Sequence, residues 1–224
     1  MGSKNKLKRF NENKTFDNVV EPTREEVLNN THGYKGKWND KFFKNQNPIV
    51  LELGCGKGEY TVGLAEKYPD KNFIGIDIKG ARFWRGAKTA IEEKMNNVGF
   101  IRTQIELVDH IFEAEEVDEI WITFPDPQIK YKRTKHRMTN TTFLQRYKKI
   151  LKSDGIIHLK TDSEFMHGYT LGLLHGEGHE VLYANHNVYH NEGSPEVVTA
   201  IQTFYEKQYL EKNKPITYIQ FRIV

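Results

Sequence analysis

The sequence predicts an α/β fold: a mostly parallel sheet with helices on both faces. Two observations lead to it. From Pro48 onward, short apolar runs alternate with segments of helical spacing, the pattern of successive strand–helix–strand crossovers. Along the 224 residues no repeat and no linker divides the chain, and 12% aromatic content with 38% hydrophobic residues supplies a real core.

Residues 1–20 lack apolar periodicity and are rich in Lys and Asn, which predicts a basic, flexible arm ahead of a single domain over 21–224. Ile49–Leu53 reads as the first strand and 54–58 as a turn, followed by a helix over Glu59–Tyr68 through Tyr60, Leu64 and Tyr68. Asn72–Ile76 is a second strand that ends at Asp77, and Ala81–Asn96 is helical. Gly99–Thr103 and Val117–Phe124 supply two more strands, the latter stopped by Pro125 and Pro127. Thr141–Leu151 is a basic helix, and Asp154-Gly155 is expected to turn it into a fifth strand, Ile156–Lys160. Glu164–Gly176 is a further helix, and Val181–Ala184 and Tyr218–Val224 close the sheet.

The net charge of +3 is unevenly spread. Residues 1–14 carry +4 and residues 127–152 carry +9 with no acid, so the rest of the chain is at −10. Two concentrated basic segments on an acidic body suit a polyanion partner. No apolar run reaches the ~20 residues of a membrane helix, and no hydrophobic stretch follows the basic first residues as in a signal peptide. With a single cysteine, Cys55, a cytoplasmic location is expected. One cysteine and no clustered acids beside the spaced histidines argue against a metal site.

In parallel α/β sheets the ligand lies beyond the carboxyl ends of the strands, at the switch point. Glu52-Leu53-Gly54-Cys55-Gly56-Lys57-Gly58 ends the first strand there, and Gly54, Gly56 and Gly58 permit a tight turn and close ligand approach. Glu59 stands where a dinucleotide fingerprint needs its third glycine, and a carboxylate there opposes a pyrophosphate. A nicotinamide dehydrogenase is therefore disfavoured. S-adenosyl-L-methionine, whose charged groups are cationic, fits better, with Glu52 as partner and Asp77 placed to take the ribose hydroxyls. Phe124-Pro125-Asp126-Pro127 holds one carboxylate on a stiff turn, and Asp162, at the end of the fifth strand, points to the same edge of the sheet or caps the next helix. Beside the proline turn runs Lys130-Tyr131-Lys132-Arg133-Thr134-Lys135-His136-Arg137, where Lys132, Arg133, Lys135 and Arg137 are candidate RNA contacts.

Taken together, Glu52–Gly58, Gly75-Ile76-Asp77, Phe124-Pro125-Asp126-Pro127, Lys160-Thr161-Asp162 and Thr203-Phe204-Tyr205-Glu206 resemble the bacterial tRNA (guanine-N7-)-methyltransferases. The resemblance runs over most of the chain. It implies a Rossmann-like class I methyltransferase fold with an antiparallel closing strand, and formation of 7-methylguanosine at position 46 of the tRNA variable loop. It implies contacts to S-adenosyl-L-methionine from Glu52, Asp77 and Gln104, with Asp126 catalytic, between cofactor and base. Lys130, Asp162, Thr203 and Glu206 would face the guanosine. Two positions depart from the family. Gln104 stands in place of an adenine-binding Asp, and Gln128 in place of a Trp after Asp-Pro, which removes a stacking face. N7 already bears a free lone pair, so the reaction needs alignment and stabilisation of positive charge rather than a general base. The sequence leaves monomer and homodimer equally open.

Overall fold

The computed structural model describes residues 3–224. Among them, eight strands form one sheet in the order β1-β4-β3-β2-β5-β6-β8-β7. These are β1 (Val19–Val20), β2 (Ile49–Leu53), β3 (Asn72–Ile76), β4 (Val98–Ile101), β5 (Val117–Thr123), β6 (Leu151–Thr161), β7 (Glu180–Asn185) and β8 (Thr217–Arg222). Pairings from β1 through β6 are parallel, and β8 enters antiparallel between β6 and β7.

The helices are α1 (Ser3–Asn13), α2 (Arg24–Leu28), α3 (Glu59–Lys67), α4 (Gly80–Glu92), α5 (Val108–Ile111), α6 (Thr141–Ile150), α7 (Glu164–Gly176), α8 (Glu196–Ala200) and α9 (Phe204–Leu210). Every residue of β2 and β3 is buried, as expected where helices cover both faces. Ile49, Leu51 and Leu53 pack into one core with Phe143, Leu144 and Tyr147 of α6, and Val50 into the other with Tyr60, Leu64 and Phe83 of α3 and α4. Glu52 shares the face of Val50, by the period-2 alternation of a strand.

From β2 the chain crosses to β3 and β4 on one side, then returns to β5 on the other. The switch point therefore lies between the carboxyl ends of β2 and β5. The glycine turn after β2 and the proline turn after β5 face each other there, with Leu53 and Ile122 in register just before them.

Two expectations are corrected. The N-terminal arm is not irregular: residues 3–13 form α1, which docks on α4, and Val19–Val20 forms the edge strand beside β4. The docking combines the half-buried Phe10 ring, close to Gly80, with polar contacts. Buried Asn13 donates from Nδ2 to the Gly80 carbonyl at 2.9 Å, and Trp84 donates from Nε1 to Glu12 at 3.0 Å. The turn expected at Asp154-Gly155 is likewise absent. β6 starts at Leu151 opposite Val117, and the next pair is Glu119 with Ile156, so residues 152–155 bulge from a continuing strand.

Candidate active site

Gly54, Gly56 and Gly58 all adopt positive φ (76°, 56° and 75°). The amides of Gly54 and Cys55 bond to the Ile76 carbonyl at 2.8 and 3.1 Å, which ties the turn to the end of β3. A Cβ on Gly58 would lie 2.6 Å from the Phe100 ring, whereas one on Gly56 would meet only the Gly54 carbonyl, at 3.9 Å. Gly58 thus serves close packing, and Gly56 leaves the upper side open to a ligand. Asp77 braces the turn by accepting from the Gly56 amide at 3.1 Å and the Lys79 amide at 2.7 Å. Ile105 and Met138 flank the space over Gly54, so the segment after Gln104 and the end of the basic loop converge on the glycine turn. Gln104 accepts from Arg24 at 2.5 Å, a partner that no sequence signal marks.

Glu52 lies beneath the turn, only 2% exposed. Oε1 accepts from the Thr123 hydroxyl at 2.6 Å, and Oε2 from the amide and hydroxyl of Thr61. Burial pushes its carboxyl up to about 7, against the three hydrogen bonds that favour the charged form. Glu52, expected to partner the cofactor's cationic groups, is thus enclosed by protein beneath the turn. Its effect on a ligand above the turn is that of a buried acid whose charged form a cation would favour.

Across the switch point, Phe124 and Gln128 both take positive φ (47° and 48°), and Asp126 between them is exposed. Asp126 Oδ1 accepts from the Gln128 amide at 3.1 Å, and among the described residues no group takes its second oxygen. Lys130, Lys132, Arg133 and Lys135 are exposed along a short 3₁₀ turn, Tyr131–His136. Arg137 is not an RNA-facing cation. It is 6% exposed, donates to the carbonyls of Gln128 and Ile129 at 3.2 Å each, and lies over the Phe165 and Tyr169 rings. Its charge anchors the proline turn to α7, because two carbonyls and two π-faces replace water around the guanidinium.

Thr203 and Glu206, expected to face the guanosine, are buried and engaged with protein partners. They form a capping box at the start of α9, with the Glu206 amide donating to Thr203 Oγ1 at 3.2 Å and the Thr203 amide to Glu206 Oε2 at 3.3 Å. Glu206 and Lys160 are both fully buried and paired at 2.7 Å, and Tyr189 donates to Glu206 at 2.8 Å. Burial pulls the Lys160 ammonium below its ordinary range, and Glu206 opposes that pull. The Thr-x-x-Glu spacing is itself the capping-box signature, so this role had a signal in the sequence. Asp162 stays at the edge of the cleft, paired with Lys214 at 3.4 Å.

The same cap carries two exposed aromatic residues, Phe204 and Tyr205, that the motif reading passed over as individuals. Lys57 of the glycine turn lies 3.5 Å from the Phe204 ring centroid, and Glu59 accepts from the Phe204 amide at 3.0 Å. α9 is thereby fastened to the glycine turn. Among the described residues no group of three or more His, Cys, Asp or Glu is placed to hold a metal, and no helix is long and apolar enough to cross a membrane.

This strand order, with a glycine turn and a carboxylate on opposite sides of the switch point, defines a class I methyltransferase. Among solved structures, a 30S ribosomal A1408 methyltransferase from an uncultured bacterium matches with a TM-score of 0.59 at 16% identity, covering 92% of this chain and 96% of its own. The 16S rRNA methyltransferase KamB matches at 0.62 and 11% identity, covering 82% and 91%. At those identities the likeness establishes the fold alone. Residues 46–219 match the family model described as "Putative methyltransferase". A "tRNA (guanine-N(7)-)-methyltransferase" of Christiangramia forsetii is 75% identical, covering 100% of both chains. One of the same name from Bacteroides fragilis is 50% identical over 97% of this chain and 85% of its own. The chain belongs to the tRNA (guanine-N7-)-methyltransferase family.

Proposed function

We propose that this protein methylates N7 of a guanine in tRNA, at position 46 of the variable loop, in the cytoplasm. The observation that carries the reading is the placement of Asp126. It is an exposed carboxylate with one oxygen free, across the switch point from an open glycine turn. Full-length 75% identity to a relative of that name supports the substrate and the reaction.

S-adenosyl-L-methionine supplies an electrophilic methyl group. Gly54, Gly56, Asp77 and Gln104 surround the place where it would be held, and a cationic ligand there suits the buried acid Glu52 below. Guanine N7 attacks with a lone pair it already has, so no residue need take a proton. The base becomes cationic on methylation. Asp126 stabilises that developing charge, and its free oxygen accepts from a guanine N–H to orient the ring. Asp162 lies on the same side, and Lys130, Lys132, Arg133 and Lys135 hold phosphates. Thr203 and Glu206 act from within, fixing α9 against the glycine turn.

The test is incubation with methyl-labelled S-adenosyl-L-methionine and total tRNA, then chemical cleavage at 7-methylguanosine. Label at one guanine of the variable loop is the expected result. Label elsewhere overturns the position, and none overturns the activity. Asp126→Ala should lower turnover by about 100- to 1000-fold while cofactor affinity and the unfolding midpoint stay near wild type. Wild-type turnover in that variant removes Asp126 from the mechanism.

A further inference from the structure

Beside the proline turn lies a groove of about 550 Å³ that no step above uses. One wall is Ile129 and Tyr131, which are 66% and 92% exposed. The other is Phe165 and Tyr169 of α7, whose rings stack at 6.3 Å and 16°. The buried guanidinium of Arg137 sits 4.8 and 4.4 Å from those two ring centroids and is fixed by two carbonyls, so this wall is held rigid before anything binds. Gly168 lines the groove from the middle of α7, and a Cβ there would meet nothing within 4 Å.

We propose that this groove takes a second, unpaired nucleotide of the tRNA, next to the guanine that is methylated; the inference rests on the tRNA methyltransferase reading above. Three observations fix the occupant. Exposed aromatic rings accept a base by its π-face, whatever its identity. Lys130, Lys132, Arg133 and Lys135 rise from the same turn, exposed and free of acids in the sequence around them, so an anionic backbone is drawn to this rim. And both walls continue the loops that carry the site, since Ile129 is three residues from Asp126 and Phe165 is three from Asp162, a reach of no more than about 11 Å. A guanine at Asp126 therefore brings its neighbour to the groove. Glu164, on the lining, can accept from a base N–H.

The test uses the full chain with two variants. Gly168→Leu puts a side chain into the groove from an exposed position where a Cβ meets nothing within 4 Å, and it removes a mid-helix glycine, so it should unfold no earlier than wild type. Tyr131→Ala removes the exposed ring. Each should weaken tRNA binding and raise the KM for tRNA about 10-fold, with cofactor affinity and kcat unchanged. The slope of affinity against salt should also stay as in wild type, because stacking releases no counterions. Wild-type tRNA affinity in both variants overturns the inference. A changed oligomeric state with unchanged tRNA affinity overturns it too, and would assign the groove to a second copy of the chain. If the wild-type protein neither binds nor methylates tRNA, the reading beneath falls first and this one with it.

Discussion

The acids of the motif set fall into two regions, a floor and a mouth. On the floor, Glu52 is closed in by Thr61 and Thr123, and Glu206 by Lys160, Tyr189 and Thr203. At the mouth, Asp126 keeps an oxygen free and Asp162 meets only Lys214. The basic residues divide the same way. Arg137 and Lys160 are buried and fully engaged, whereas Lys132, Arg133 and Lys135 stand in solvent. A motif therefore mixes groups left open to solvent with groups enclosed by protein partners. Burial, which the motif does not display, is what separates them.

The sharpest way to break this division is at the floor. Lys160→Met strands the Glu206 carboxylate in a dry site and should cost about 3–5 kcal/mol in urea unfolding. Adding Glu206→Gln keeps the cap partners and removes the stranded charge, so it should restore about 2 kcal/mol or more. No recovery would mean that Lys160 and Glu206 are not energetically coupled.

Glu52 provides the next test. Its folded pKa of about 7 lies above the ordinary 4.5. Its contribution is therefore fully favourable below about pH 4.5 and is lost as pH rises through about 7. Relative to Glu52→Gln, the wild type should lose up to about 3 kcal/mol between pH 4.5 and pH 8. A difference that does not change with pH would place Glu52 in a wetter environment than its 2% exposure implies.

The mouth should respond in affinity instead of stability. Neutralising Lys132, Arg133 and Lys135 together should leave the unfolding midpoint within about 0.5 kcal/mol of wild type. It should reduce the slope of log Kd for tRNA against log salt by about 2–3. Arg137→Ala should do the reverse, lowering the midpoint with little change in slope. If Arg137 flattens the slope as the others do, the boundary between floor and mouth is misplaced.

Much of this architecture was legible beforehand. The limits of β2, β3 and α7 match the reading residue for residue, because apolar periodicity, turn glycines and caps act over a few neighbouring positions. The glycine turn, Asp77 and the proline turn were legible for the same reason, and the family resemblance supplied the reaction. Helix α1 was not, since its docking depends on hydrogen bonds that Asn13 donates and Glu12 accepts across about seventy positions of chain. The strand bulge at 152–155 was missed because Asp-Gly marks a turn in local terms, while pairing with β5 carries the strand through.

By itself, then, the sequence determined the succession of strands and helices, the residues at each strand end and the class of chemistry they serve. Only the tertiary structure decided that Glu52, Arg137, Thr203 and Glu206 are enclosed by protein partners, and that Phe165 and Tyr169 of α7 line one groove with Ile129 and Tyr131. The physical reason is that water exclusion is a property of assembled layers. A carboxylate after a strand has the same local signals whether its neighbours in space leave it wet or enclose it.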